Sequence, residues 1–337
     1  GDLGTPDLSW EKVHQFDLGL DLGVLNGRLN LGVDFFYKKT TDALLMQKPT
    51  NSSGDVKYWS NAGEVSNKGV DLNVTAHIIQ TKDFQWTSTL NASYLKNEVT
   101  KLTAQSPRLY GEKPSAGSVD PCTIITEGEA IGTFYGFKWA GVEKNADGDF
   151  VDMYYKADGT KTNDPNKDTD RFVLGHANPD VTIGWNNAIT YKNWEFNAFF
   201  NGAFGAKRLN LVRYSMNSTP GASPFVTDKD YFSQVGVTMP TYAKGKSYGN
   251  SSKWLENADY FRCENISVAY TLPRSLMKFA DVRLSLSAQN LFTITGYKGI
   301  DPAGIAFSDA NVDNNNGIDM GAYPNPRTFT FGVRLNF

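Results

Sequence analysis

Residues 16–37 alternate strictly between apolar and polar or small. Phe16, Leu18, Leu20, Leu22 and Val24 fall on one face, against Asp17, Gly19, Asp21 and Gly23; beyond Asn26-Gly27, Leu29, Leu31, Val33, Phe35 and Tyr37 alternate with Asn30, Gly32, Asp34 and Lys38. A period of two on both sides of Asn-Gly predicts a β-hairpin. The unit recurs. Val70, Leu72, Val74, Ala76 and Ile78, then Phe84, Trp86, Leu90, Ala92 and Tyr94, flank the polar turn at Thr81-Lys82-Asp83. Val181 to Tyr191 and Trp194 to Phe204 flank Lys192-Asn193; Ile266 to Leu272 and Val282 to Ala288 flank a turn containing Pro273; Phe329, Phe331, Val333, Leu335 and Phe337 close the chain. The pattern predicts nine strands of roughly 10–15 residues. Their polar faces carry Asp and Asn, which a dry core accepts only when they are paired.

The spacers alternate in length. Those at 25–28, 80–83, 192–193 and 273–281 are short, and those at about 39–66, 101–179, 208–258 and 296–327 are long. Short turns at one end and long loops at the other predict an all-β fold, an antiparallel transmembrane β-barrel with short periplasmic turns and long extracellular loops. Phe84, Trp86, Tyr191, Trp194 and Tyr270 cluster beside the short turns, as an interfacial girdle would. On this reading Asp17, Asp21, Asn30, Asp34, Asp71 and Asn73 face a wet lumen, and Leu18, Leu20, Leu31, Val33, Leu72 and Val74 face lipid. The alternative is a soluble β-sandwich with one wet face per sheet. Bacterial single-chain barrels have an even strand number, and an unclosed sheet in lipid leaves two unsatisfied edges. Residues 1–337 are therefore expected to be the C-terminal portion of a larger barrel. The strand near Trp10 and the strand at 329–337 should be its open edges, the latter pairing with 282–295. Gly1-Asp2-Leu3-Gly4 has neither an initiator nor a leader pattern, which suggests a processed chain or a piece of a longer one.

Composition narrows the choice. The chain is 13% aromatic with 31 Gly and 29 Asn, suited to strands joined by polar turns. A net charge of −3 argues against a nucleic-acid partner. Two Cys exclude a disulfide-dense scaffold or a Cys-rich metal site. No apolar run is long enough for a transmembrane helix.

Several stretches resemble, in order along the chain, the C-terminal part of SusC-type (RagA-like) TonB-dependent outer-membrane transporters of Bacteroidetes. They are Leu8-Ser9-Trp10-Glu11-Lys12, Asn61-Ala62-Gly63-Glu64-Val65-Ser66-Asn67-Lys68-Gly69-Val70-Asp71-Leu72, Glu127 to Phe137, Asp170-Arg171-Phe172-Val173-Leu174-Gly175 running to Asn178-Pro179, Ser287 to Thr293, Gly299-Ile300-Asp301-Pro302 and Tyr323 to Thr328. Thr330, Gly332, Leu335 and the terminal Phe337 resemble the assembly signal read by the barrel-insertion machinery of Gram-negative bacteria. The resemblance implies a barrel of about 22 strands around a plug domain, with the plug and the first strands outside this sequence. It implies an outer-membrane location with the long loops outside and the C-terminus in the periplasm. The implied function is active import of an oligosaccharide or a peptide with a SusD-type surface lipoprotein, driven by TonB–ExbB–ExbD through the plug. A passive porin-like channel and a soluble carbohydrate-binding sandwich are the alternatives.

Candidate chemistry is sparse. His14, His77 and His176 stand in no catalytic motif, so no enzymatic step is expected. Cys122 and Cys263 are read as unpaired thiols, with a disulfide the alternative that export would permit. Asp164, Asn166, Asp168 and Asp170 have the spacing of a calcium loop, but Thr169 and Gly175 stand where an EF-type loop needs Gly and a bidentate Glu. A solvated loop is the preferred reading there and calcium the alternative; no other cofactor is implied. Aromatics crowd the loops. Tyr110, Trp139, Tyr155, Tyr242 and Trp254 are the candidates for facing substrate or partner, because sugar rings and apolar peptide side chains both bind aromatic planes; packing among the loops is the alternative for each.

Overall fold

The computed structural model describes residues 7–47, 58–104, 107–111, 114, 120–218, 247–276, 279–304, 316–321 and 323–337. In chain order, β1 (Lys12–Val24), β2 (Leu29–Gln47), β3 (Tyr58–Gln80) and β4 (Phe84–Leu102) come first. One long connection then holds β5 (Arg108–Tyr110), β6 (Thr123–Thr126), β7 (Thr133–Phe137), β8 (Trp139–Lys144), β9 (Phe150–Tyr155), β10 (Lys161–Thr162) and β11 (Arg171–His176). The hairpin β12 (Val181–Tyr191) and β13 (Trp194–Phe204) is followed by β14 (Lys207–Asn210), a helix α1 (Leu211–Ser218) and β15 (Leu255–Asn257). Last come β16 (Tyr260–Thr271), β17 (Asp281–Thr295), β18 (Ile318–Asp319) and β19 (Thr328–Asn336).

Nine of these strands form one antiparallel sheet in the order β1-β2-β3-β4-β12-β13-β16-β17-β19. As expected, β1 and β19 are its edges and β19 pairs with β17. The first turn has positive φ at Leu25, Asn26 and Gly27, which matches its Asn-Gly signal.

Register turns nine alternating patterns into two continuous surfaces. Leu20, Val33, Leu72, Ala92, Ile183, Gly202, Phe261 and Ile294 stand opposite one another across eight strands. The neighbouring row, on the other face, is Gly19, Asp34, Asp71, Ser93, Thr182, Ala203, Tyr260 and Thr295. A slip of one residue in any strand would exchange its faces. The apolar face is uncovered: Leu18, Leu20, Phe329 and Phe331 are 60%, 58%, 65% and 69% exposed. A β-sandwich would bury those side chains against a second sheet, so the sandwich alternative fails.

Two polar side chains interrupt the apolar face, and each is met by an indole. Trp185 Nε1 donates to Ser88 Oγ at 2.9 Å, and Trp86 Nε1 donates to Asn187 Oδ1 at 3.2 Å. In hydrocarbon an unmet polar group costs several kcal/mol. The girdle aromatics form a single row, Phe84, Tyr191, Trp194 and Tyr270, with ring centroids 6.0 Å apart for Phe84–Tyr191 and 4.6 Å for Trp194–Tyr270.

Three long spacers are not plain loops. Residues 101–179, 208–258 and 296–327 contribute three small sheets, ordered β10-β9-β8, β11-β7-β6-β5 and β15-β14-β18. The fourth is mostly strand: β2 and β3 stay paired to Gln47 and Tyr58. Alternation is lost at 39–66 because the ladder bulges between Thr40 and Ala43, where Asp42 has φ 55°, and again between Glu64 and Val65.

An Arg at Leu72, in the middle of the uncovered face, is expected to cost roughly 2–4 kcal/mol of stability in a bilayer, and an Arg at Ser93, beside the polar-face carboxylates, less than about 1 kcal/mol. Equilibrium unfolding from lipid vesicles measures both; equal costs would void the assignment of faces.

Candidate functional site

The polar face is lined by carboxylates, amides and hydroxyls. Asp34, Asp71, Asn73, Asn91, Ser93, Thr182 and Gly184 line a shallow depression of about 380 Å³. Gly19 stands opposite Asp34 and Gly32 opposite Asp21; a Cβ at either glycine would press on the facing carboxylate. Asn73 Nδ2 donates to Asn91 Oδ1, and Thr75 and Thr89 hydroxyls lie 3.2 Å apart. His77 Nδ1 is 3.0 Å from Thr87 Oγ1, and His176 Nδ1 donates to the Asn178 carbonyl at 2.8 Å.

At the end opposite the short turns, loop elements fold over this same polar face. Val65, Val99 and Leu102 of β3 and β4 pack with Ile125 of β6, and Leu45, Leu109 and Ile131 close the cluster. Ile131 N–H donates to Asn97 Oδ1 at 2.8 Å, and Leu102 N–H donates to Glu127 Oε1 at 2.6 Å. Arg262 of β16 donates to Asp301 Oδ1 at 2.6 Å and to Thr293 Oγ1 at 3.0 Å, with both ends of the ion pair buried.

The loops have a core of their own. Cys122, Phe134, Ala177, Leu209, Leu211, Trp254 and Ile318 form one buried cluster. Phe137, Tyr154 and Tyr248 form an aromatic triangle with centroids 4.5–6.1 Å apart. Strand β7 and residues 250–252 are joined by Phe137 N–H to the Asn250 carbonyl at 3.0 Å and Ser252 N–H to the Phe137 carbonyl at 2.9 Å. Gly136 permits that approach, since a Cβ there would collide with the Asn250 carbonyl. Lys253 Nζ lies 2.8 Å from Asp152, with side chains 9% and 1% exposed, and 4.7 Å from the Trp254 ring centroid. Trp139 Nε1 donates to the same carboxylate at 3.0 Å.

Against this geometry the candidates separate. Tyr110 is half exposed, its centroid 6.1 Å from that of Tyr135, whose face Arg171 covers at 5.7 Å. Trp139 and Tyr155 are half-buried, the latter under Lys138. Tyr242 lies outside the described residues. Trp254 is a correction: at 1% exposure it is a core residue packed on Tyr214, and it faces neither substrate nor partner.

The four residues with calcium-loop spacing do not converge. Both Asp170 oxygens are used, one by Asn166 N–H at 2.8 Å and one by Ala157 N–H at 3.1 Å, and Asp164 accepts from Tyr248 Oη at 3.1 Å. Asn166 Oδ1 accepts from Asp168 N–H at 2.8 Å. Among the described residues no group of three or more His, Cys, Asp or Glu is gathered as a cation would need. Cys122 and Cys263 are separate, buried free thiols. Burial pushes the Cys122 thiol up to about 12, which removes it as a thiolate nucleophile near neutral pH. In β19, Thr330 and Gly332 share the polar face, Leu335 the apolar one, and Phe337 follows Asn336, which pairs with Asp281 beside the short turn.

Sequence reasoning missed Asp152, Lys253 and Arg171. The ion-paired two lie 101 residues apart, and only the fold brings them together.

Lys253→Met should leave Asp152 buried without its counter-charge and loosen residues 139–154 by roughly 3–5 kcal/mol, read by amide hydrogen exchange. Hydrogen bonds from Asn166 N–H, then Ala157 N–H, hold the Asp170 carboxyl below the usual carboxylate range. The 157–170 turn should thus keep this contribution above the unfolded carboxyl's pKa and lose it as pH falls through the lower folded value. Exchange of the Ala157 and Asn166 amides against pH, in wild type and Asp170→Asn, checks this.

A family model described as TonB dependent receptor-like, beta-barrel, matches residues 1–291. The chain is 32% identical to TonB-dependent receptor P3 of Formosa agariphila, across 100% of this chain and 35% of that protein. It is 28% identical to TonB-dependent receptor SusC of Bacteroides thetaiotaomicron, across 98% of this chain and 32% of that protein. The solved structure of the RagAB peptide transporter superposes with a TM-score of 0.80 at 27% identity, covering 99% of this chain and 36% of that one. The chain spans about a third of the length of these relatives. With its nine-stranded sheet of one bare apolar and one polar face, the chain belongs to the TonB-dependent receptor β-barrel family and is of the SusC/RagA type.

Proposed function

We propose that these nine strands are part of the wall, and the long connections part of the mouth, of an outer-membrane importer for a bulky nutrient, an oligosaccharide or a peptide. The observation that carries this reading is the pairing of a continuous uncovered apolar face with a hydrogen-bonded polar face, capped by folded loops at one end only. That combination suits a strand wall between lipid and a water-filled lumen. The unpaired edges of β1 and β19 need partners in lipid, which further strands of a larger barrel would supply. The relatives named SusC and RagAB support a partnership with a SusD-type surface lipoprotein and energy from TonB acting on a plug domain. In this reading the long connections are extracellular, the short turns and Phe337 periplasmic, and the chain has no enzymatic step.

Cysteine placed at Lys161, in the loop cap, should react with an impermeant maleimide on intact cells expressing the full-length transporter. Cysteine at Lys82, in a short turn, should react only once the outer membrane is broken. The reverse pattern would invert the topology. Uptake that persists without TonB would favour the passive channel instead.

A further inference from the structure

Above the apolar band the lipid-side face of β3 and β4 changes character abruptly. Across β1–β4 the last row that is aliphatic or aromatic on every strand is Leu18, Phe35, Val70 and Tyr94. The next row on the same face is Phe16, Tyr37, Lys68 and Lys96, and the one after it His14, Lys39, Ser66 and Glu98. Lys12 and Lys101 lie beyond. On β12 and β13, by contrast, the positions two residues past the paired Val181 and Phe204 are Pro179 and Ala206.

The height of this row follows from strand geometry. Phe84 in the girdle row and Tyr94 are ten residues apart on β4, about 34 Å along a strand, which a tilt of about 40° reduces to roughly 26 Å of membrane thickness. An outward apolar band is about 25 Å tall. Lys68 and Lys96 therefore stand at the level of the headgroups at the loop-bearing end.

Charge is only partly cancelled. Lys12 pairs with Asp42 at 2.9 Å, Lys39 and Lys101 share Glu64 at 2.7 and 3.8 Å, and Lys96 meets Glu98 at 3.0 Å. Lys68 has no ion pair among the described residues and is exposed. Lys68 is thus the cation of its row left without an ion pair among the described residues, in a plane where Tyr37, 43% exposed, stands alongside and Tyr94, 48% exposed, lies directly beneath.

We propose that Lys68 and Lys96, supported by Lys39, flanked by Tyr37 and floored by Tyr94, form a binding patch for the phosphate of an anionic glycolipid headgroup in the outer leaflet. A soluble acidic protein fits the position poorly. It would have to displace lipid from Val70 and Tyr94 to reach ammonium groups that stand directly above them. The patch lies on the outside of the wall and takes no part in import, so it goes beyond the function proposed above, although it uses the same orientation in the membrane.

The test uses full-length transporter in detergent, with binding read by native mass spectrometry. The probes are a phosphorylated outer-membrane glycolipid, the same glycolipid after enzymatic dephosphorylation, and inorganic phosphate. Wild type should bind the phosphorylated lipid well above the other two. Two lysines at a charged membrane surface are together worth about thirtyfold in affinity, so K68Q/K96Q should lose about that much for the phosphorylated lipid and nothing for the dephosphorylated one. K161Q, in the loop cap, should bind as wild type does. Both test positions are exposed side chains, so the double variant keeps its fold. Equal affinity for the two lipids, an unchanged K68Q/K96Q, or inorganic phosphate bound as tightly as the lipid would each overturn the proposal. Loss of import with lipid binding intact would count against the proposed function and not against the patch.

Discussion

A strand in hydrocarbon has no water to complete its hydrogen bonds, so every backbone N–H and C=O must find its partner on the next strand. The rest of the structure depends on that constraint. Long antiparallel ladders fix one register for the whole sheet, and that register gathers nine separate alternating patterns into one apolar and one polar surface. The same accounting extends to side chains on the apolar face, where Ser88 and Asn187 are tolerated because two indole N–H groups close their hydrogen bonds.

Where the lipid ends, the constraint lapses and the sequence pattern changes with it. Strands β2, β3 and β4 run on past the apolar band, but bulges appear at Thr40/Ala43 and Glu64/Val65 and lysines replace aliphatic residues. Beyond them the chain folds by ordinary soluble-protein means, with buried aromatics, short sheets and ion pairs removed from water. Lys253–Asp152 and Arg262–Asp301 are both buried, so desolvation offsets much of their attraction. Each pair joins segments distant in sequence, and a half-broken pair costs far more than the intact one contributes. Such contacts fix one arrangement of the mouth.

The barrel portion was legible because membrane strands repeat one local rule. Alternation gave all nine strands, and spacer lengths separated the short-turn end from the loop end. Loop structure was not legible to the same degree. Residues 101–179 read as one long loop because β5 to β11 are two to six residues long, too short for a period of two to stand out. Trp254 read as a rim aromatic because its environment comes from Phe134, Leu209 and Ile318, none of them near it in sequence. At 164–170 spacing left calcium as the alternative to a solvated loop, and there backbone amides take the Asp170 oxygens. A local motif fixes which donors are available, and the fold decides which of them remain unspent.

The division between wall and mouth also sets where change is tolerated. A wall residue answers to a face and a register shared by every strand, so a substitution such as a charge at Leu72 is felt by lipid whatever the cargo. A loop residue answers to its own small core. Gly136, whose Cβ would strike the Asn250 carbonyl, is constrained by one local contact, whereas Tyr110, half exposed at the outer edge of β5, is constrained by little besides Tyr135. Exposed side chains carried on a rigid platform are free to vary in chemistry without disturbing either the platform or the wall beneath. That separation is built into the fold. Here it is physical: Arg262–Asp301 and the Val65–Val99–Ile125 cluster fasten the loops to the polar face, and the residues above those fastenings are released from the rule that governs the strands.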